Sequence, residues 1–369
     1  MPESKHLVDE DRLLFTFLEM VQTGHRSGEE QLLAQRIVTR LRTLGLKAGT
    51  DKTGNVIAHL PGQGEAILLN AHLDSVDPCT GVVPVVEAGI IRSDGRTVLG
   101  ADDLSGVAAI VEAIQVAVEK KIPHRPVEVV FTVEEETGLT GSKNLNYGEV
   151  KASMGVALDG GGPFGAIVVA APSHNMISAV IRGKAAHAGV APEEGVNAIR
   201  VAAEAIARMP LGRIDPETTA NVGVIRGGIA TNIVPDRVEL EAEARSRDER
   251  KLRQQTQAMV EALEEVARAH GAEVKAQVQR AYNGFTLSEE DEIVRLAMRA
   301  IEAVGVTPRL EASGGGSDVN IFNAHGIACA NLSTGMMRAH TTEEWIAIAD
   351  LVRCARLVLE LIRTDHKEE

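Results

Sequence analysis

Apolar residues recur at helical spacing over seven windows, 7–22, 28–45, 104–120, 195–209, 248–270, 289–304 and 343–363, which predicts a helix over each. Short β-branched runs lie between them at 66–71, 127–133, 154–158, 165–170 and 327–332. Two of these, Ala66-Ile-Leu-Leu-Asn-Ala71 and Val127-Glu-Val-Val-Phe-Thr-Val133, are apolar almost throughout, as strands buried on both faces are. Strands alternating with helices predict an α/β fold, a mixed and mostly parallel sheet flanked by helices. From 174 to 281 the order changes to strand 176–182, helix 195–209, strands 220–226 and 237–245, helix 248–270 and strand 273–279. That βαββαβ order predicts an inserted ferredoxin-like α+β domain, with hinges at Pro172-Ser173 and Tyr282-Asn283-Gly284. The expected organisation is therefore a larger domain in two pieces, 1–173 and 282–369, with a smaller domain, 174–281, between them.

Composition narrows the function classes. The 369 residues are 44% hydrophobic but include only one Trp, two Tyr and six Phe, so the core must be mainly Ala, Val, Leu and Ile. A formal charge of −14 and the lack of a basic stripe with interleaved aromatics argue against nucleic acid as a ligand. No run of about 18 uncharged apolar residues predicts a membrane span. The charged opening, residues 1–12, has no apolar stretch of a secretory signal, so the expected location is the cytoplasm. Cys79, Cys329 and Cys354 are scattered and form no C-x-x-C pair, which indicates neither a disulfide scaffold nor a thiolate zinc site.

The chemistry sits at the ends of the predicted strands. His72-Leu-Asp74 follows the first, Glu134-Glu-Glu136 the second and Asp159-Gly the third, while Asp102-Asp103 directly precedes the 104–120 helix. Ligands of parallel α/β sheets gather at carboxyl strand ends. Carboxylates converging there repel one another unless protons or cations hold them, and with histidines they form good zinc ligands. Any one of these residues alone is as well explained as a helix cap or a solvated loop residue. Four clusters after sheet elements favour a common site.

These strings resemble a known family. Asp94-Gly-Arg-Thr-Val-Leu-Gly-Ala-Asp102-Asp103, Thr132-Val-Glu-Glu135-Glu136-Thr-Gly138, Gly183-Lys-Ala-Ala-His187-Ala-Gly189, Thr231-Asn232-Ile-Val-Pro-Asp236, Gly315-Gly-Ser317-Asp318 and His340 are, in order, similar to peptidase T. More broadly they resemble its di-zinc exopeptidase family, with the glutamate carboxypeptidases and aminoacylases. The resemblance implies a zinc exopeptidase fold in which 1–173 and 282–369 form the catalytic domain and 174–281 a lid through which two chains can pair. It implies two zinc ions, replaceable by cobalt or manganese. Asp102 would bridge them, His72 and Asp159 would complete one site, and Glu136 and His340 the other. Glu135 would be the general base toward a water between the ions, and Asp74 would hold the His72 imidazole. The Asp102–Asp103 peptide would be cis. His187 would stabilise the oxyanion from the lid, Asn232 would reach the substrate, and Ser317 belongs to the loop implied to line the cleft. Arg245 resembles the arginine that grips a terminal carboxylate, with Arg247 two residues away as the alternative. The implied substrate is a short peptide that loses its N-terminal residue.

Three other functions remain open at this point: an N-acyl-amino-acid amidohydrolase, dipeptidase or carboxypeptidase of the same family, a non-catalytic metal or peptide binder, and a scaffold acting through oligomerisation. Intact Glu135 beside the ligands argues for catalysis, because a binder needs no base. Leu104-Ser105-Gly106, where peptidase T tends to carry a lysine, and the shorter chain bear on peptide length preference.

Overall fold

A computed structural model describes residues 7–364. The chain divides into two compact units. One holds the residues up to Val169 together with Thr286–Ala312 and those from Ser317 onward, and the other holds Ala170–Phe285 and Ser313–Gly316.

The first unit is built on a nine-stranded sheet. Its centre is four parallel neighbours, Val127–Thr132, Ile67–His72, Met154–Gly160 and Ala328–Ser333. Strands Ile67–His72 and Val127–Thr132, expected to be central, are buried at every position. Antiparallel strands extend the sheet on both sides, with Val56–Leu60 and Lys47–Thr50 beyond Val127–Thr132. Those two short strands, and a separate three-stranded sheet of Pro84–Glu87, Ile90–Ser93 and Trp345–Ala347, were not among the expected elements. Runs of three to five residues carry too little periodicity to be read.

Helix Ala101–Lys120 lies at the heart of this unit, packed on strand Ile67–His72, on Glu10–Val21 and on Ile348–Ile362. Its Ala, Val and Ile residues are buried almost all round, which a helix enclosed by other elements requires. Its first turn is irregular: Asp102 and Asp103 have non-helical dihedrals and the peptide between them is cis. Regular helix begins at Leu104, where the apolar period predicted it. Gly106 explains the tight fit, since a Cβ there would stand 2.6 Å from both Asp103 Oδ1 and the Leu158 carbonyl oxygen.

The last helix is shorter than expected. It runs Ile348–Ile362, and Trp345–Ala347 forms a strand instead of its first turn. Helix Asp318–Ala324 was also not expected, although Ser317 and Asn320 form a capping box at its start. Among the described residues no helix is long and apolar enough to cross a membrane.

The second unit is a five-stranded antiparallel sheet in the order Gly212–Asp215, Thr218–Gly227, Arg237–Ser246, Ser173–Arg182 and Glu273–Tyr282. Helices Ala198–Arg208 and Glu249–Ala269 pack on it through Val201, Ala205, Met259 and Leu263 against Ile177, Ile181, Val238 and Leu240. Asn197 and Asp248 cap these helices by accepting from backbone N–H groups of the first turn. The expected ferredoxin-like elements are all present. The added edge strand Gly212–Asp215 is exposed along most of its length, so no alternation marks it in the sequence.

Candidate metal centre

Sheet register brings the ligand-type residues together in the first unit. His72 is the last residue of its strand and pairs with Thr132, after which the chain turns through Glu134, Glu135 and Glu136. Asn70 of the same strand pairs with Ala157, which puts Asp159 at the same carboxyl edge. Asp102 arrives from the irregular start of helix Ala101–Lys120. His340 comes from a turn closed by the pairing of Met337 with Trp345.

The geometry centres on Asp102. Its Oδ1 is 3.1 Å from His72 Nε2 and its Oδ2 is 3.2 Å from His340 Nε2, so each oxygen faces a different histidine. Asp159 Oδ1 is 3.8 Å from His72 Nε2, and Glu136 Oε1 is 2.7 Å from His340 Nε2. Donor atoms of His72, Asp102 and Glu136 lie within 4.8 Å of one another, as do those of His72, Asp103 and Asp159. His72 Nδ1 is 2.9 Å from the carbonyl oxygen of Asp74, which can only accept. That nitrogen therefore carries the proton, and in the neutral ring the Nε2 lone pair faces the carboxylates.

Electrostatics suit this arrangement to a cation. Burial pushes Asp159 well above the ordinary carboxylate range, and the charge of Asp102 adds to it. Burial does the same to Glu135, with Asp159, Asp318 and Glu136 contributing. Burial also works against ionised Asp102, but hydrogen bonds to His340 and His72 outweigh it and hold that carboxyl low. Hydrogen bonds to Asp102 and Glu136 raise His340 to about 10. Crowded buried carboxylates require protons or cations. A lone-pair nitrogen among carboxylate oxygens, with no thiolate in the set, fits divalent ions of the zinc type.

Comparison with known proteins agrees. Residues 55–196 match the model of peptidase family M28, and residues 173–271 match that of the peptidase dimerisation domain. The chain is 43% identical to the uncharacterised protein YqjE of Bacillus subtilis, over 98% of this chain and all of that one. It is 44% identical to the crystal structure of aminopeptidase PepT from Bacillus cereus, with a TM-score of 0.88 and coverage of 96% of this chain and 98% of that one. A tripeptidase structure from Staphylococcus aureus is 40% identical, with a TM-score of 0.92 and the same coverage. The chain belongs to the peptidase T-like metallopeptidases.

As a metallo-exopeptidase it holds its polar residues by backbone anchors. The Asp74 carboxylate accepts from the Glu135 amide at 2.9 Å, the Glu136 amide at 3.2 Å and the Ser27 hydroxyl at 2.7 Å. The sequence pointed to Asp74 as a support for the His72 imidazole. Its carboxylate lies 3.5 Å from Nδ1, and through its shorter bonds it also positions Glu135 and Glu136. Asn331 accepts from the Asp159 amide at 3.0 Å, and its Nδ2 lies 3.4 Å from Asp159 Oδ2 and from Ser317 Oγ. Ser317 thus meets the cluster through Asn331. Asp103 accepts from the His72 amide at 3.1 Å through Oδ2.

The remaining sequence candidates of the peptidase belong to the second unit. His187 and Asn232 are exposed neighbours, the Ala188 amide donating to the Asn232 carbonyl at 3.0 Å. Arg245 is held by Glu243 through Nε at 3.1 Å and Nη2 at 2.9 Å. Arg247 donates to the carbonyls of Ser313 and Pro216.

Asn331 and Glu344 escaped sequence reasoning. Asn331 accepts from the Asp159 amide and Glu344 from the amides of Leu99, Gly100 and Asp102, and such bonds leave no side-chain motif; Asp103 was visible as half of the Asp-Asp pair.

Proposed function

We propose that this peptidase removes the N-terminal residue from short peptides, tripeptides among them, with Glu135 as the group that moves the proton. The observation that carries the reading is Asp102, whose two oxygens face His72 and His340 separately, while half-buried Glu135 interacts electrostatically with His72 and Asp159. Near full-length similarity to an aminopeptidase and a tripeptidase supports the substrate class. His72, Asp102 and Asp159 would hold one ion, and Asp102, Glu136 and His340 the other. Zinc suits the donors best, with cobalt or manganese as substitutes. When bound, the ions would polarise the scissile carbonyl and make nearby water more acidic.

The chain supplies the proton handling. Glu135 would accept a proton from the attacking water at its carboxylate and later deliver it to the leaving amine. Asp74 would keep it in place through the amides it binds. His187 and Asn232 would contact substrate, and Arg245 would take a terminal carboxylate by exchanging Glu243 for it. The dimerisation-domain match supports pairing of two chains through that unit.

The test is metal content per chain, with hydrolysis of free and N-acetylated tripeptides before and after chelation. Two ions and chelator-sensitive release of the N-terminal residue from the free peptide alone are expected. Cleavage of the acetylated peptide alone would move the enzyme to the deacylases. No metal and no turnover after zinc, cobalt or manganese is restored would end the catalytic proposal.

A further inference from the structure

Glu344 lies four residues after His340 and is 1% exposed, yet no lysine or arginine among the described residues pairs with it. Its Oε2 accepts from the amides of Leu99 at 2.7 Å and Gly100 at 2.8 Å, and its Oε1 from the amide of Asp102 at 2.8 Å. Gly100 precedes helix Ala101–Lys120 with φ 80° and has no side chain to cap it. The carboxylate of Glu344, from the far end of the chain, therefore satisfies amides of the irregular segment that leads into the helix. The same residue belongs to the turn that presents His340. Its amide donates to the Thr341 carbonyl at 3.1 Å, and Trp345 pairs with Met337 on either side. Within that turn Arg338 and His340 have φ of 58° and 65°, a backbone that side-chain-bearing residues hold only when their surroundings enforce it.

One buried side chain thus joins two segments that carry different ligand candidates, Asp102 and His340. We propose that Glu344 is a positioning residue that sets the separation of Asp102 from His340, and through it the affinity for the ion held by Asp102, Glu136 and His340. The ion held by His72, Asp102 and Asp159 depends on it less, because strand register and Asn331 place His72 and Asp159 independently. The proposal rests on the two-ion reading above.

Zinc titration of the wild-type chain and of Glu344→Gln, by calorimetry or chelator competition, tests it. Glutamine keeps the size but turns an N–H donor toward the backbone amides. The wild type should bind two ions. The variant should bind one at near wild-type affinity and the second about 10- to 100-fold more weakly. Hydrogen exchange on the wild type supplies a readout without substitution: protection at Leu99, Gly100 and Asp102 should rise with the second equivalent of zinc, not the first. If Gln does not fold, Glu344→Asp and this exchange measurement decide. Equal weakening of both ions would make Glu344 a general support and overturn the proposal, as would two unchanged affinities. Fewer than two ions on the wild type would overturn the two-ion reading and this inference with it.

Discussion

The two units handle charge in opposite ways. In the first, carboxylates are buried and anchored by backbone amides: Asp74 by Glu135 and Glu136, Asp103 by His72, and Glu344 by Leu99, Gly100 and Asp102. In the second, strands alternate apolar and polar residues, and the charges pair near the surface, as Arg245 does with Glu243 and Arg226 with Glu241. The difference teaches what each arrangement can deliver. A carboxylate held by amides has a fixed position in a low dielectric, where its charge acts strongly on neighbours. A surface ion pair is screened and contributes little.

Three substitutions break or sharpen this contrast. The largest effect is expected from Glu135→Gln, which should lower kcat about 10²- to 10⁴-fold while zinc content and thermal stability stay near wild type. Near-wild-type turnover in steady-state kinetics would remove Glu135 as the base. Next, Met259→Ala opens the core of the second unit, where Met259 is fully buried, and should cost about 2–5 kcal/mol in denaturant unfolding. Zinc stoichiometry should not change; if it did, the separation of roles between the units would fail.

The smallest effect concerns Glu243. His174, 3.1 Å away, and then Arg245 hold its carboxyl at about 2, below the ordinary 4.5. A group depressed on folding adds stability above its unfolded value and loses that contribution as pH falls through the folded one. Wild-type stability should therefore decline from about pH 4.5 toward 2 more steeply than that of Glu243→Gln, measured by unfolding at each pH. Parallel curves would show that the pair contributes nothing.

Much of this protein was determined by its sequence alone. Strands 67–72 and 127–132 were readable because burial on both faces demands nearly unbroken apolar residues. His72, Asp102, Glu135, Glu136, Asp159 and His340 stood out because carboxylates and histidines at strand ends and in ordered family motifs are unusual in a core. Tertiary structure alone decided the rest. Glu344 lies 242 residues from Asp102 and meets it through a backbone N–H, a donor that almost every residue carries, so no pattern could announce it. The same reason hid the amides of Glu135 and Glu136 as partners of Asp74, and tertiary packing turned residues expected to begin the last helix into strand Trp345–Ala347. Side-chain chemistry and periodicity are written locally, whereas the choice of a distant amide partner exists only once the chain has folded.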